Sequence, residues 1–403
     1  MSESLPGGLL LRTARSRDLD QVGALLADRG EPADAVDHRL IVGDAEAGWD
    51  SCAVVVDGDR VVSTATLLDE TLVLGDVPIP AGQVELVATD REYEGRGLVR
   101  ALMGWAHARS ASRGHLVQVM IGIPYFYRQF GYQYAIAIPA TRAVRALPSP
   151  DGGHLVRAAG AGDIPVMAEL QYAAQRGYDL RMPHSAACWR WLVAREGTTQ
   201  LLAVRAGVPV ATGRMTHPGD GEVVLGEIAA ADQAAASALL AYAGSRAGDD
   251  GLKVTERDGS PGAAALEDWL APPPREAACY YTRVPDVTAL LEHLRPVLSA
   301  RLAASGFAQD SGEIIVSFFR HHLRMAYANG KVGPVRPGGP MQAPAAAGGA
   351  GVAPDLAGSL LFGPHGLAGL AERHPDVYPG PREELMRTLF PPVRADLLTF
   401  YLP

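Results

Sequence analysis

The segment spanning residues 83–123 constrains the fold more than any other part of the chain. An apolar run at 83–89 is followed by the stretch Arg-Glu-Tyr-Glu-Gly-Arg-Gly at 91–97, a helical pattern at 98–112 and a second apolar run at 115–123. Strand, glycine turn, helix and strand in that order make a βαβ unit. Glycines at the strand-to-helix passage allow backbone amides, with the positive end of the helix dipole, to face an anion. Gly95 and Gly97 by themselves fit a tight corner equally well. The stretch lacks the Gly-Lys-Ser/Thr of a P-loop, and no acidic residue follows at the spacing of a dinucleotide fingerprint.

The flanking sequence extends this unit into a sheet-centred domain. Apolar runs at 51–56 and 60–67 flank Asp57-Gly58-Asp59, a hairpin signal. Residues 11–26 and 155–170 align with each other. Arg12 then pairs with Arg157, Ala14 with Ala159, Asp18 with Asp163 and Leu25 with Leu170. Each reads as a short strand, a turn, an aspartate near a helix start and an amphipathic helix, which favours a duplicated α/β domain over chance similarity. Proline- and glycine-rich breaks at 147–153 and 271–275 divide the chain, and 336–355 reads as a flexible loop. The last part has a helical pattern at 286–304, strands at 314–319 and 323–327, a turn at 328–330 and more helix beyond 356. The expected fold class is α/β (α+β): domains at 1–147 and 154–274 built on mixed sheets, then a separate α+β domain at 280–403.

Composition narrows the function. A net charge of −9 argues against a nucleic-acid partner, which would call for a basic surface. Cys52, Cys188 and Cys279 lie far apart, as expected in a reducing compartment. No signal-peptide pattern opens the sequence and no apolar run approaches the roughly 18 residues of a membrane span, so a cytoplasmic protein without membrane attachment is expected.

Beyond the glycine turn, Tyr125-Phe-Tyr-Arg-Gln-Phe-Gly-Tyr132 follows the second strand. Together these motifs resemble the GNAT family of acyl-CoA-dependent N-acyltransferases. Over nearly the whole chain, the order of segments resembles the enhanced-intracellular-survival (Eis) type. That type has two tandem GNAT-like domains and a sterol-carrier-protein-like C-terminal domain. The resemblance implies acetyl-CoA as co-substrate, a small-molecule primary amine as acceptor, no metal, and a homo-oligomer, with a hexamer as one form.

Carried over residue by residue, the resemblance implies that Val87, Ala88 and Thr89 pair with the pantetheine arm. Gly95, Arg96, Gly97, Leu98, Val99 and Arg100 would form the pyrophosphate turn, and Gly122 and Ile123 would border the gap for the thioester. Tyr127, four residues before Gly131, falls where the family has the tyrosine that protonates the leaving thiolate. The chain's own terminal carboxylate, on Pro403, or a water would be the base, with Glu85 and Asp90 as alternatives. Two positions depart from the family turn. Val99 stands where a small residue is usual, and Glu94 puts a carboxylate beside a phosphate seat, a repulsion of about 1 kcal/mol when solvated. Arg91, Arg96 and Arg100 are expected to offset it.

Other features read as structural. Residues 229–237 follow the corresponding strand of the second copy without a glycine pair, so that copy is expected to lack a pyrophosphate seat and to wall the substrate pocket or serve the fold. His321 and His322 point to opposite faces of a strand and suit a surface pair better than a metal site. Trp189 and Trp191 suit helix packing, or a place beside an acceptor. The function expected from sequence is acetyl transfer to a primary amine of an aminoglycoside-like molecule, peptide or lysine. The alternatives are a non-catalytic ligand-binding or regulatory protein on the same scaffold, and a transferase using another acyl-CoA.

Overall fold

The computed structural model describes residues 2–149, 152–217, 221–248, 251–257, 259–260, 262, 266–274 and 278–401. The N-terminal part runs β1 (Ser2–Ser4), β2 (Leu10–Thr13), α1 (Leu19–Arg29), α2 (Pro32–Gly43), β3 (Cys52–Asp57), β4 (Arg60–Leu74), β5 (Val77–Thr89), α3 (Leu98–Ser112), β6 (Val117–Met120) and β7 (Gln133–Ile138). Strands β1 to β6 lie side by side in chain order, antiparallel except for the β5–β6 pair, which α3 makes parallel. Helix α1 buries Val22, Leu25 and Leu26, spaced by three and four residues, against one face of the sheet. Each such side chain contributes roughly 1.5–3 kcal/mol. Helix α3 covers the opposite face with Leu102, Met103 and Ala106.

Two local departures shape β5. Its parallel pairing with β6 covers only Ala81, Gln83 and the residue between them, after which the strands part. On the other side Thr64 pairs with Ala88 but Thr66 pairs with Glu85, so Leu86 and Val87 share one partner position. Leu86 adopts φ 50°, a β-bulge that turns the strand end away from the ladder.

A second six-stranded sheet repeats this plan. It contains β8 (Thr141–Ala143), β9 (His154–Ala158), β11 (Thr198–Arg205), β12 (Val208–Thr216), β13 (Val223–Ala230) and β14 (Leu252–Thr255), ordered β8-β14-β13-β12-β11-β9. Among them fall α4 (Ile164–Gln175), β10 (Leu180–Met182), α5 (Ala186–Ala194) and α6 (Gln233–Ala247). The β13–β14 pair is parallel, and β13 carries a bulge at the corresponding register: Thr212 faces Ala229, Arg214 faces Gly226, and Glu227 takes φ 51°. The aligned Arg12 and Asp18 form a bidentate pair at 2.6 and 2.8 Å, and Arg157 and Asp163 form the same pair at 2.7 Å. In both units the aspartate also accepts the backbone N–H three residues earlier, tying the strand end to the helix start.

The remaining chain comprises β15 (Ala278–Arg283), α7 (Val287–His293), α8 (Arg295–Ala303), β16 (Ser311–Ser317), β17 (His322–Ala328), β18 (Lys331–Val332), β19 (Arg336–Gly338), β20 (Ala350–Gly351), α9 (Ala357–Phe362), α10 (Gly366–Arg373), α11 (Glu383–Leu389) and β21 (Ala395–Leu397). The single helix expected at 286–304 is broken at Leu294, because Pro296 starts a new helix and cannot continue the old one. The expected flexible loop at 336–355 holds β19 and β20, and β20 pairs in parallel with β16. Three strands from distant sequence complete the first sheet. Strand β15 inserts between β6 and β7, and β10 pairs with both β4 and β21. Strand β8 goes the other way, onto β14 of the second sheet.

Candidate active site

Where β5 and β6 part, a cleft of about 570 Å³ opens over the glycine turn. Asp90 accepts the Glu92 amide at 2.9 Å and starts a single turn, Arg91–Tyr93, that ends the strand. Gly95 (φ 74°) and Gly97 (φ 79°) then carry the chain through left-handed conformations into α3. A Cβ added at either would meet no atom within 4 Å, so it is the backbone conformation and the open space above it that suit glycine. The first amides of α3 lack partners within the helix and bring the positive end of its dipole to the cleft.

Val87, Ala88, Thr89, Gly95, Gly97, Leu98, Val99, Arg100, Ile123 and Tyr127 all line this cleft. Tyr93, Phe126, Gln129, Phe130 and Arg29 line it as well, and none of these five was singled out from sequence as a site residue. Arg96 is not among them: its guanidinium stacks on the Tyr93 ring at 4.5 Å and donates to the Glu92 carbonyl. Pro403 lies outside the described residues.

The arginines expected to balance Glu94 do not do so. Arg91 lies 3.9 Å from Asp28, Arg96 is on Tyr93, and Arg100 donates to Gln129 at 3.0 Å. Glu94 is held instead by Arg29, from the last turn of α1, at 2.5 Å. Sixty-five residues separate the partners, so only the tertiary fold could bring them together.

Tyr127 sits at the inner end of the cleft, buried among Phe126, Phe130, Tyr132 and Tyr281. Gly122 lies beneath its ring. A Cβ there would come within 2.3 Å of Tyr127 Cε2, so Gly122 makes room for the tyrosine. Burial, reinforced by the nearby Glu85 charge, pushes the Tyr127 hydroxyl up to about 12, and it keeps its proton at neutral pH. Tyr134 stacks on Tyr281 at 4.2 Å and the two hydroxyls share a hydrogen bond, which closes the aromatic wall beside Ile123.

Glu85, in register with Thr66, is not among the residues that line the cleft. Its carboxyl is buried beside Gln83 Nε2 at 2.5 Å. Burial dominates its titration and, with the Asp34 charge, pushes it up to about 8, within reach of a base working near neutrality. Glu70, four residues along β4 from Thr66, is also pushed up to about 8 by burial and by the charges of Asp69 and Glu85. Asp90, the other candidate base, is pinned by Arg60 at 2.6 Å and by its capping role.

The second sheet's counterpart of the turn is Asp232, which caps α6 by accepting the Ala235 amide. His322 binds the Gly339 carbonyl and His321 stacks on Phe318. Trp189 and Trp191 are buried in α5. Among the described residues no group of three or more His, Cys, Asp and Glu could hold a metal ion, and no helix is long and apolar enough to cross a membrane.

Residues 11–135 match the model of the acetyltransferase (GNAT) domain. The sequence matches no curated protein. The fold is similar to that of a GCN5-related N-acetyltransferase from Anabaena variabilis (16% identity, 95% of this chain and 96% of that chain, TM-score 0.67). It is also similar to one from Kribbella flavida (21%, 98% and 98%, TM-score 0.64) and to Eis1 from Mycobacterium abscessus (16%, 96% and 99%, TM-score 0.60). The matched domain supports an acyltransferase.

Proposed function

We propose that this chain transfers the acetyl group of acetyl-CoA to a primary amine. The observation that carries this reading is the convergence of the free β5 edge, the Gly95–Gly97 turn at the start of α3 and Tyr127 on one cleft. The open space above both glycines, and the unpaired amides of the helix start, fit a pyrophosphate. Acetyl-CoA, when bound, supplies a thioester ready for acyl transfer. Val87, Ala88 and Thr89 offer backbone groups to its pantetheine arm, while Gly95, Gly97, Leu98, Val99 and Arg100 receive the pyrophosphate. Glu85 accepts the proton of the attacking amine, and Tyr127 gives its proton to the departing thiolate.

The acceptor in this reading is a cationic small molecule or a peptide amine. The repeated bulge and the repeated arginine–aspartate pair support two tandem GNAT-like units, and the sterol-carrier-like unit is residues 280–403 apart from β15 and β21, which join the first sheet. The free thiols support a reducing, cytoplasmic setting. The Eis likeness favours a homo-oligomer, which light scattering would test.

An assay of CoA release over spermidine, kanamycin and a blocked lysine peptide tests the reading, together with a thermal shift by acetyl-CoA. Turnover that falls about 100-fold in Tyr127→Phe supports it. No stabilisation by millimolar acetyl-CoA and no CoA release would remove it.

A further inference from the structure

Between the end of β6 and Tyr127 the chain turns back on itself, which is how Gly122 comes to lie under the Tyr127 ring. Tyr125, inside that turn, takes φ 67° and ψ −25°, a left-handed conformation that costs an aromatic residue strain. Packing does not hold it there, because the Tyr125 side chain is 72% exposed. The Arg128 guanidinium over its ring, at 5.2 Å, is exposed as well. Strain of this kind persists where the surroundings impose it, and it gathers at functional sites.

Two tyrosines impose it here. The Tyr125 amide donates to the Tyr134 hydroxyl at 3.1 Å. The Tyr134 and Tyr281 hydroxyls lie 2.8 Å apart, and the Tyr281 hydroxyl meets the Ile123 carbonyl at 3.1 Å. The amide can only donate and the carbonyl can only accept. A chain running from one to the other through both hydroxyls therefore satisfies all four groups. It begins and ends on the same loop, so it clasps that loop at Ile123 and Tyr125. Inside the clasp the Phe126 amide closes the turn on the Ile123 carbonyl at 3.3 Å.

Distant sequence supplies the clasp. Tyr281 stands on β15, 158 residues beyond Ile123. The register of β15 against β7 slips between Tyr280 and Tyr281, which sets Tyr281 directly opposite Tyr134 with the rings stacked. Tyr281 is fully buried and meets the Tyr127 ring edge-on at 5.9 Å. Its ring thus touches Tyr127, and its hydroxyl holds the loop that leads to Tyr127. Phenylalanine at both positions would fill the same space with no polar atom to satisfy. What the hydroxyls add is a fixed loop.

We infer that Tyr134 and Tyr281 are positioning residues, whose hydroxyl chain locks the Ile123–Tyr125 loop and so sets where Tyr127 stands in the cleft. The inference rests on the transfer reading above. It gives β15, inserted between β6 and β7, a part in the chemistry of the first unit.

Tyr281→Phe and Tyr134→Phe each break the chain and keep the stacked rings, and both are tested in the full-length protein with spermidine, kanamycin and the blocked lysine peptide as acceptors. Tyr134 is 39% exposed, so its variant keeps the test open even where the buried substitution disturbs folding. For the best of these amines kcat should fall about tenfold in either variant, and no further in the double variant, because one break opens the chain. The Kd for acetyl-CoA should be unchanged, and hydrogen exchange of the Tyr125 amide should quicken. The deciding comparison is made in a Tyr127→Phe background. There neither substitution should lower the residual kcat, since no acid remains to be positioned. An active wild type whose two single variants keep their kcat overturns the inference alone. A fall in kcat that is equally large in the Tyr127→Phe background overturns it as well. A wild type with neither CoA release nor acetyl-CoA stabilisation removes the transfer reading, and the inference with it.

Discussion

Arg29 and Glu94, from the end of α1 and the start of the glycine turn, form an ion pair at 2.5 Å on the rim of the cleft. The carboxylate that stands beside the proposed phosphate seat is thereby paired with a neighbour that the local sequence does not contain. Arg29→Gln should unmask Glu94 and weaken acetyl-CoA binding about fivefold at low salt, from roughly 1 kcal/mol of repulsion. Adding Glu94→Gln should restore the affinity. Calorimetric titration of the two variants checks both steps, and the loss should shrink as salt screens the charge.

Gly122 and Tyr127 make a separate prediction. Alanine at 122 would place its Cβ 2.3 Å from Cε2 of the ring, so the tyrosine must shift. Gly122→Ala should lower kcat about tenfold or more, because misplacing a proton donor by a fraction of its reach is costly. The Kd for acetyl-CoA should change little, since the proposed pyrophosphate turn at Gly95–Gly97 is untouched. Presteady-state kinetics with a binding titration separates the two constants.

In the proposed mechanism Glu85 sets the pH dependence. Its carboxyl is pushed up to about 8 in the fold, against an ordinary value of about 4.3. As a base it must be ionised, so kcat should rise with pH through about 8, and Glu85→Gln should abolish that limb. Between these two pKa values the folded state binds the extra proton. The stability this group contributes is therefore present at acid pH and is lost as pH rises through about 8. Glu85→Gln should gain on the wild type in urea unfolding midpoints as pH is raised across that range.

What sequence revealed depended on how local the interaction is. The passage from β5 through Gly95 and Gly97 to α3 and β6 was legible, because each part follows from its own residues and their order. The alignment of Arg12 with Arg157 and Asp18 with Asp163 was legible for the same reason, and it reappears as two matching ion pairs. Arg29 beside Glu94, the insertion of β15 beside β6 and the pairing of β10 with β21 were not legible. Each joins segments far apart in the chain, and no periodicity encodes them. The length of β4 and β5 was underestimated as well. Pro78 and Pro80 argue against a strand, yet both lie inside β5 at its exposed start.

The central claim is that the Gly95–Gly97 turn seats the pyrophosphate of acetyl-CoA. Calorimetric titration of acetyl-CoA into the wild type and Gly97→Asp tests it most directly. The substitution forces a side chain onto a left-handed position, at a cost of about 1–2 kcal/mol, and sets a carboxylate at the helix start. One molecule bound per chain in the wild type, with binding lost in the variant, is the result predicted here. Equal affinity in both proteins, or no binding to the wild type at millimolar acetyl-CoA, would contradict it.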